Sequence, residues 1–372
     1  MYLKSIFNQH ELTGILDACK PDNDLVFIAV GEKSKDQLPV IMEQFNDRKI
    51  QFYGAIFPSL ILNGTRQPDG FLINIGKLTI KPLLIQNMSQ FRKELLQPLE
   101  DLSTSTSLSI MILTDGLAAN IRNLLSGIYD VFGNRRKYFG GGAGSMSLKP
   151  IPCIFTNEGI FQDAAVISQV NFVFNLGIRH GWKNIEGPFV ATKTTQNIIQ
   201  ELNWQPATDI YKKYVEVHSG RKLNIDNFFS ISKGYPFGMF KEEGEAIVRD
   251  PIAMTESGNL ICVGGIPQNS VLGILKGEKS NLIKAAQEAA TISMQQNTQD
   301  IFSCFVIDCI SRVLFLGDAF DEELSAITNV IKSRNKAVDV EGVLSIGEIG
   351  SSESGYLELY NKTVVVNTYY AK

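Results

Sequence analysis

Three stretches of the chain place apolar residues at steps of three and four, the spacing of one helix face. Gly133-Asn134 follows the first stretch as a stop signal, while the third is opened by Asp321-Glu322-Glu323 and closed by Lys332 and Arg334, which complements the helix dipole. The pattern predicts three amphipathic helices that lie on sheets. The sets are Leu117, Ile121, Leu124, Ile128 and Val131; Ile283, Ala286, Ala290 and Met294; and Leu324, Ile327 and Ile331.

Short apolar strands separated by Gly-centred turns fill much of the remaining sequence. Turns of this type join antiparallel strands in hairpins. We therefore predict an α+β protein in which helices pack on mixed, largely antiparallel sheets. The turns are Asn63-Gly64, Asp69-Gly70, Glu158-Gly159, Ser257-Gly258 and Lys276-Gly277.

Two long stretches, Ser107–Val170 and Ser303–Val366, repeat one order of elements. Each runs from an apolar strand through an amphipathic helix to a Gly-rich turn and a closing pair of strands. A weaker third copy lies near the start, from Asp24 to Ile75. A period near half the chain favours related domains over a solenoid, whose units are shorter. We predict an internal duplication, with two related domains at 1–178 and 179–372.

Composition and charge exclude several classes of partner. The 372 residues carry a formal net charge of −4, and the longest basic run is Arg135-Arg136-Lys137, so the chain attracts phosphate backbones or anionic lipids only weakly. Met1–Lys20 has no apolar core of signal-peptide length, and Ile301–Gly317 is too short and too interrupted for membrane insertion. The five cysteines show no CxxC spacing, which favours reduced, buried thiols. We expect a cytoplasmic protein that binds no nucleic acid.

The Gly-rich segment Gly140–Ser145 has two interpretations. Its backbone N–H groups could cradle a phosphate or carboxylate, which makes Gly142 and Gly144 candidate ligand contacts. No Lys-Ser or Lys-Thr pair follows, however, and the next element resembles a strand. The structural interpretation, close backbone approach at an interface, is the one we favour. Gly347–Ser352 is predicted to occupy the equivalent position in the second copy.

Arg179-His180-Gly181-Trp182 places a cation, an imidazole and an indole on four adjacent positions. His180 could ligate a metal or haem iron, or bind a carboxylate, with Trp182 stacking beside it and Arg179 anchoring an acidic group. Both side chains can serve one ligand only if the chain turns here, as Gly181 permits. The alternative is a buried histidine whose ring is satisfied by the backbone.

A catalytic interpretation finds little support in the sequence. No G-x-S-x-G, HExxH or CxxC motif is present. Asp308, Glu348 and Glu358 could form a group of carboxylates, although Asp308 is also well placed for an ion pair with Arg312. We expect a protein that is not an enzyme.

A set of motifs distributed from about Asp24 to Val366 resembles the FIST domain, in the order of that family's N-terminal and C-terminal modules. The resemblance implies a sensory domain of signal transduction that binds small ligands such as amino acids, and a partner such as a histidine kinase or a cyclic-di-nucleotide enzyme. Some members are haem-binding nitric-oxide sensors. The motifs are Gly140–Gly144, Phe155–Asn157, Asp163–Val166, His180–Lys183, Gly187-Pro188, Pro206-Ala207 with Tyr211, Val248-Arg249, Gly264–Pro267, Cys309–Arg312, Gly347–Gly350 and Asn361–Val365.

The leading hypothesis is a ligand-sensing protein that binds its ligand between the two halves and regulates a separate signalling protein. The first alternative is a haem-based nitric-oxide sensor with His180 as the iron ligand; no Cys-x-x-Cys-His motif is present, so that haem would be non-covalent. The second is an enzyme acting on a small carboxylated metabolite. The candidate ligand-binding residues are Arg179, His180, Trp182, Gly142, Gly144, Arg249, Arg312 and Glu348.

Overall fold

A computed structural model of the chain describes residues 2–6, 9–100, 109–170, 173–241, 245–295, 299–351 and 355–370. Ser107 and Ser352, which bound two of the predicted segments, lie outside these residues. The α+β class is confirmed, because helices cover sheets in which parallel and antiparallel pairs are mixed. The fold consists of three similar units, which together form the core, and one inserted antiparallel sheet.

The first unit comprises β1 (Tyr2–Ile6), α1 (Gln9–Ala18), β2 (Asp24–Gly31), α2 (Leu38–Asp47), β3 (Gln51–Phe57), β4 (Ser59–Leu62), β5 (Thr65–Gln67) and β6 (Phe71–Lys77). Strands β2 and β3 are parallel, and β6 runs antiparallel beside β2. The leading strand β1 pairs with β6. Leu12 of α1 and Phe45 of α2 are buried in the same hydrophobic cluster as the sheet residue Val26.

The second unit comprises β7 (Leu83–Ile85), α3 (Gln97–Glu100), β8 (Ser109–Asp115), α4 (Ile121–Phe132), β9 (Tyr138–Ala143), β10 (Ile154–Thr156), β11 (Gly159–Phe161) and β12 (Ala165–Val170). Its strand order is that of the first unit, because β8 and β9 are parallel, β12 is antiparallel to β8, and β7 pairs with β12. The predicted amphipathic helix is α4, although its first predicted residue, Leu117, precedes the helix.

The third unit begins with β13 (Val173–Arg179) and is then interrupted by residues 183–276, which we call the insert. The insert is one antiparallel sheet, in the order β14-β21-β18-β19-β20-β16-β15, covered by two helices. Its elements are β14 (Lys183–Val190), β15 (Lys193–Thr195), β16 (Ile198–Leu202), β17 (Gln205–Pro206), α5 (Ala207–Ser219), α6 (Phe228–Ser232), β18 (Phe237–Met239), β19 (Ile247–Met254), β20 (Leu260–Val263) and β21 (Val271–Lys276).

After the insert the third unit continues with α7 (Lys279–Gln295), β22 (Ile301–Cys309), α8 (Ile310–Leu316), α9 (Phe320–Arg334), β23 (Val340–Ser345), β24 (Glu348–Ser351), β25 (Leu357–Tyr360) and β26 (Val364–Tyr370). Again the first two strands, β22 and β23, are parallel, β26 is antiparallel to β22, and β13 pairs with β26. Short 3-10 helices connect elements at Glu32–Gln37, Met88–Gln90, Lys93–Leu96, Gly133–Arg135 and Gly317–Ala319.

Each unit gives its hairpin to another unit. The β4-β5 hairpin of the first unit pairs with β23 of the third, β10-β11 of the second pairs with β3 of the first, and β24-β25 of the third pairs with β9 of the second. The inner faces of the sheets also meet: the rings of Phe27 and Phe305 lie 6.1 Å apart, and those of Phe139 and Tyr369 lie 6.3 Å apart. The three units therefore interlock into one core.

One glycine recurs at the same register position in all three units. Gly54, Gly140 and Gly342 pair with the middle of the neighbouring parallel strand. A Cβ at these positions would lie 1.9, 1.8 and 2.0 Å from the carbonyl oxygens of Ile28, Ile112 and Val306, respectively. Only a residue without a side chain fits such an approach.

The repeat predicted from the sequence is confirmed, and its weaker third copy is a full unit. The predicted equivalence of the two Gly-rich segments is wrong. Gly140–Gly142 lie in β9, whose counterpart is β23, whereas Gly347 lies in the turn after β23. The two segments pair with each other instead, with Gly141 opposite Glu348. The division of the chain between residues 178 and 179 stays a prediction.

Candidate functional site

Lys362, in the turn between β25 and β26 of the core, reaches into the insert. Only 1% of Lys362 is exposed, and its Nζ lies 3.0 Å from Asp250 Oδ2 on β19 and donates to the Lys233 carbonyl at 3.0 Å. The ammonium also lies 4.8 Å from the centre of the Trp182 ring, within the range of a cation-π contact. A buried ion pair therefore joins the two parts.

We call the contacts around this turn the core–insert interface; it is formed by residues 359–363 of the core with Lys233, Arg249, Asp250 and Val263 of the insert. Asn361 Nδ2 donates to the Val263 carbonyl at 3.5 Å, and Leu359 accepts a hydrogen bond from Arg249. Hydrogen bonds and an ion pair therefore cross this buried interface. Apolar contacts accompany them, because Val248 and Leu275 of the insert are buried in the same hydrophobic cluster as Trp182 of the core.

Arg312 fixes the core side of this interface. Its guanidinium is fully buried and donates to three carbonyl oxygens, those of His180 at 2.6 Å, Lys362 at 3.1 Å and Leu282 at 3.0 Å. Trp182 Nε1 donates to the same Lys362 carbonyl at 3.2 Å. Three segments, including the chain that enters the insert and the one that leaves it, are therefore tied to one arginine.

Two carboxyl groups face the Arg312 guanidinium. Glu323 accepts two hydrogen bonds from it, and Asp308 Oδ1 lies 3.5 Å from Nε, so the predicted neighbour of Arg312 is in place. Burial, and then the neighbouring Glu323 charge, raise the pKa of Asp308 well above its usual value. One positive charge thus faces two buried carboxyl groups, and the raised pKa of Asp308 shifts it toward its protonated form.

Glu348 lies beside this group and is also held by protein atoms. Ser345 Oγ donates to Oε1 at 2.6 Å, and the Thr363 N–H donates to Oε2 at 3.3 Å. Burial raises the pKa of Glu348 to about 8, against the lowering effect of these donors. Glu348 is therefore largely neutral near pH 7.

The ring of His180 is buried, and its hydrogen bonding sets the tautomer. Nδ1 accepts from the Trp182 N–H at 2.9 Å, so the proton of the neutral ring is on Nε2. Among the described residues Nε2 has no hydrogen-bond partner, and it lies 3.8 Å from Glu245 Oε2. Burial, with Arg312, Lys183 and Arg179, lowers the pKa of His180 to about 3. The lone pair that iron needs is not available on Nε2 in this arrangement, so these residues do not fit haem ligation as they stand.

Arg179 is the last residue of β13, and its Nη1 donates to the Ile178 carbonyl at 2.8 Å. The chain turns directly afterwards, with Gly181 at φ +80°, as the sequence allows. The His180 N–H donates to Glu245 Oε2 at 2.9 Å, and burial raises the pKa of this carboxyl, against the opposing effects of that hydrogen bond and of Arg179. Arg179 and His180 therefore share Glu245 as a neighbour.

Gly142 and Gly144 use their N–H groups within the protein. Gly142 donates to the Gly347 carbonyl and Gly144 to the Ile56 carbonyl, each at 2.8 Å. A Cβ on Gly142 would lie 2.1 Å from the Ile346 carbonyl oxygen. This contact matches the structural interpretation of the glycine segment, and it leaves neither N–H free for an anion.

Arg249 is buried in the insert next to the core. Nε donates to the Gly265 carbonyl at 3.1 Å, and Nη1 donates to those of Val248 at 2.9 Å and Leu359 at 3.3 Å. Burial lowers the pKa of Arg249 to about 10, with Glu358 opposing this effect and Arg122 adding to it.

Two domain models match the chain. The FIST N domain matches residues 24–205, and the FIST C domain matches residues 207–351. The chain belongs to the FIST family. No curated protein matches it. The two FIST matches meet within the insert, between β17 and α5.

FIST domains are associated with sensing in signal transduction. Within the described part of this FIST chain, no helix has the length and apolar character needed to cross a membrane. The five cysteines are free and buried. In the same described ranges, no group of three His, Cys, Asp or Glu side chains is arranged to hold a metal ion.

The structure brings His180, Trp182, Arg312 and Glu348 together around the turn at Lys362, and it places Arg249 at the other side of the same interface. Sequence reasoning missed Asp250 and the role of Glu323, which it assigned to the helix dipole. Lys362 was visible only as part of a motif. A lysine in a turn between two apolar strands carries no signal of burial, because its partner Asp250 is 112 positions away in sequence.

Proposed function

We propose that this FIST protein is a non-enzymatic sensor that binds a small ligand at the core–insert interface and reports its occupancy to a separate signalling protein. The observation that carries the proposal is the set of buried polar contacts at that interface, with the Asp250–Lys362 ion pair at its centre. Most buried apolar side chains of the insert form a cluster of their own, to which the core contributes Tyr360, whereas Val248 and Leu275 belong to a cluster of the core. Two bodies whose hydrophobic interiors are largely separate and whose contact includes buried polar groups can move relative to each other.

Ligand binding at such an interface favours the arrangement of core and insert that binds it better. The shift is limited by the difference in affinity between the two arrangements. A partner such as a histidine kinase or a cyclic-di-nucleotide enzyme would bind one arrangement in preference to the other. The protein then needs no catalytic group of its own. The buried Cys309 thiol, whose pKa is raised mainly by burial, is a poor nucleophile and agrees with this function.

A haem-based sensor is the alternative that the family resemblance raises. His180 would have to give up its hydrogen bond from the Trp182 N–H and move its proton from Nε2 to Nδ1 before Nε2 could bind iron. With added haemin, we expect the absorption in the Soret region to be the same for the wild type and for His180→Ala. The variant His218→Ala is the control. A band that is lost only in His180→Ala would establish the alternative.

The test of the proposal is the coupling between ligand affinity and the core–insert ion pair. A pool of the common amino acids, and then each compound singly, is screened for a rise in the unfolding midpoint of the full chain. The affinity of each hit is then measured in the double variant Asp250→Asn/Lys362→Met, which removes both charges together and leaves no unpaired buried charge.

The matched control is Glu216→Gln/Lys222→Met, which removes a 2.7 Å ion pair at the surface of the insert. We expect the interface variant to change the affinity several-fold and the control to leave it unchanged, because a change that shifts the two arrangements must change binding to one of them. Equal affinities in both variants, or no hit in the screen, would contradict the proposal.

A further inference from the structure

Arg249 is a buried guanidinium that lacks a counter-ion within the described residues. It is 4% exposed, and its three hydrogen bonds all go to backbone carbonyl oxygens. Nη2 donates to no described acceptor. The nearby carboxylate of Glu358 binds Lys241 Nζ at 2.7 Å instead.

Such a charge is costly unless an anion offsets it. Buried charges in proteins are paired as a rule, and carbonyl dipoles replace only part of the lost hydration. Arginine with a free terminal nitrogen is also the side chain best suited to bind a carboxylate or phosphate.

A second arginine lies at the same place. Gly265, whose carbonyl accepts from Arg249 Nε, packs against Arg122: a Cβ on Gly265 would lie 3.9 Å from Arg122 Cδ. Arg122 is exposed on α4 of the core and makes no described ion pair. Two like charges, one from the insert and one from the core, are thus brought near each other, which is unfavourable until an anion lies between them.

We propose that the core–insert interface contains an oxyanion subsite in which Arg249 and Arg122 bind the carboxylate or phosphate group of the ligand. The inference rests on the proposed function only in assigning the anion to the sensed ligand. Because the two arginines come from opposite sides of the interface, an anion between them would draw core and insert together.

The charges around the subsite predict that two substitutions change the affinity for the anion in opposite directions. Arg122→Gln removes an attractive charge from an exposed position, so it should weaken anion binding without affecting folding. Glu358→Gln removes a negative charge that acts on Arg249, so it should strengthen binding. A residue with a purely structural role would not give this pair of results. Arg221→Gln is the matched control, because the side chain of this exposed arginine of the insert has no described partner.

The experiment measures the unfolding midpoint of the full chain in sodium succinate and in sodium phosphate, each against sodium chloride at equal ionic strength. We expect at least one of the two anions to raise the midpoint with a saturable dependence on concentration. Its apparent affinity should fall about tenfold in Arg122→Gln, rise in Glu358→Gln and stay unchanged in Arg221→Gln. A response to succinate alone indicates a carboxylate ligand, and one to phosphate alone indicates a phosphorylated ligand.

No saturable rise with either anion, or equal affinities in Arg122→Gln and Arg221→Gln, would overturn the inference. Arg249→Lys serves as a further check, because lysine keeps the positive charge but cannot bind two oxygens of one anion in the planar geometry of a guanidinium. Anion binding that is the same in Asp250→Asn/Lys362→Met and wild type would leave the subsite in place and count against the sensing function. A neutral ligand whose affinity depends on that ion pair would support the sensing function and count against the oxyanion subsite.

Discussion

Arg312 and Glu323 form a two-point ion pair with no exposed side-chain surface: Nε lies 2.9 Å from Oε1, and Nη2 lies 2.6 Å from Oε2. The pair joins α8 to α9, and the remaining donors of Arg312 bind the carbonyls of His180, Leu282 and Lys362. The position of the core side of the interface therefore depends on a single buried charge pair.

Removing the Glu323 charge should destabilise the protein far more than removing that of Asp308. Glu323→Gln leaves Arg312 buried without its main partner, and we expect a loss of about 3–5 kcal/mol in the free energy of unfolding. The raised pKa of Asp308 favours its neutral form, so Asp308→Asn keeps the shape and the charge of that form and should cost less than about 1.5 kcal/mol. Urea unfolding of the full chain measures both. Equal losses in the two variants would show that the assignment of the proton is wrong.

Glu348 should make stability depend on pH in the neutral range. Its pKa of about 8 in the folded protein exceeds the usual value of 4.5, so the folded state holds a proton that the unfolded state releases. The stabilisation is complete below the unfolded pKa and is lost as pH rises toward the folded pKa, at up to about 1.4 kcal/mol per pH unit. Glu348→Gln removes this dependence. Its stability relative to wild type should therefore rise between about pH 5 and about pH 8, and a difference that is constant with pH would contradict the account.

The pH dependence of stability that His180 contributes should have the opposite sign. Its pKa of about 3 lies below the usual 6.5, so the unfolded chain binds a proton that the folded ring does not. The folded state is therefore most favoured above the unfolded pKa and loses stability as pH falls from about 6.5 toward about 3. His180→Gln should show a weaker loss over that range in the same urea experiment. An NMR titration in which the His180 ring protonates near pH 6.5 would refute the assignment.

Much of the core could be predicted from sequence, because the information is local. The spacing of Leu324, Ile327 and Ile331 predicts a buried face of α9, and all three are fully buried. The repeated order of elements predicts the shared strand order of the units. The exchange of hairpins could not be predicted, since β4 pairs with β23 across about 280 residues and no local pattern encodes that choice.

The candidate site, like the fold, could be predicted from the sequence only in part. The sequence identified His180 and Trp182 as unusual because they stand together after an apolar strand, whereas Arg249 and Arg312 were identified as parts of motifs that resemble the FIST domain. It could not assign their partners, which are largely backbone carbonyls. Any residue type supplies a carbonyl, so such contacts leave no mark in the sequence.

The recurrent glycine of the three units should tolerate no side chain. Gly54→Ala, Gly140→Ala and Gly342→Ala each place a Cβ about 2 Å from a backbone oxygen, and we expect each to cost about 1–3 kcal/mol or more. Gly14→Ala, exposed in α1 with no atom within 4 Å of its Cβ, is the control and should be neutral or stabilising by up to about 1 kcal/mol. Thermal unfolding checks all four, and wild-type stability in any of the first three would contradict the shared register.

The most direct test of the sensing function is hydrogen–deuterium exchange of the full chain with and without an amino-acid pool supplemented with succinate and phosphate. The account predicts slower exchange in peptides that cover Leu359–Thr363 of the core and Arg249 with Gly264–Pro267 of the insert, while β2 in the first unit stays unchanged. Exchange that is identical with and without these compounds, or that changes only away from the core–insert interface, would contradict it.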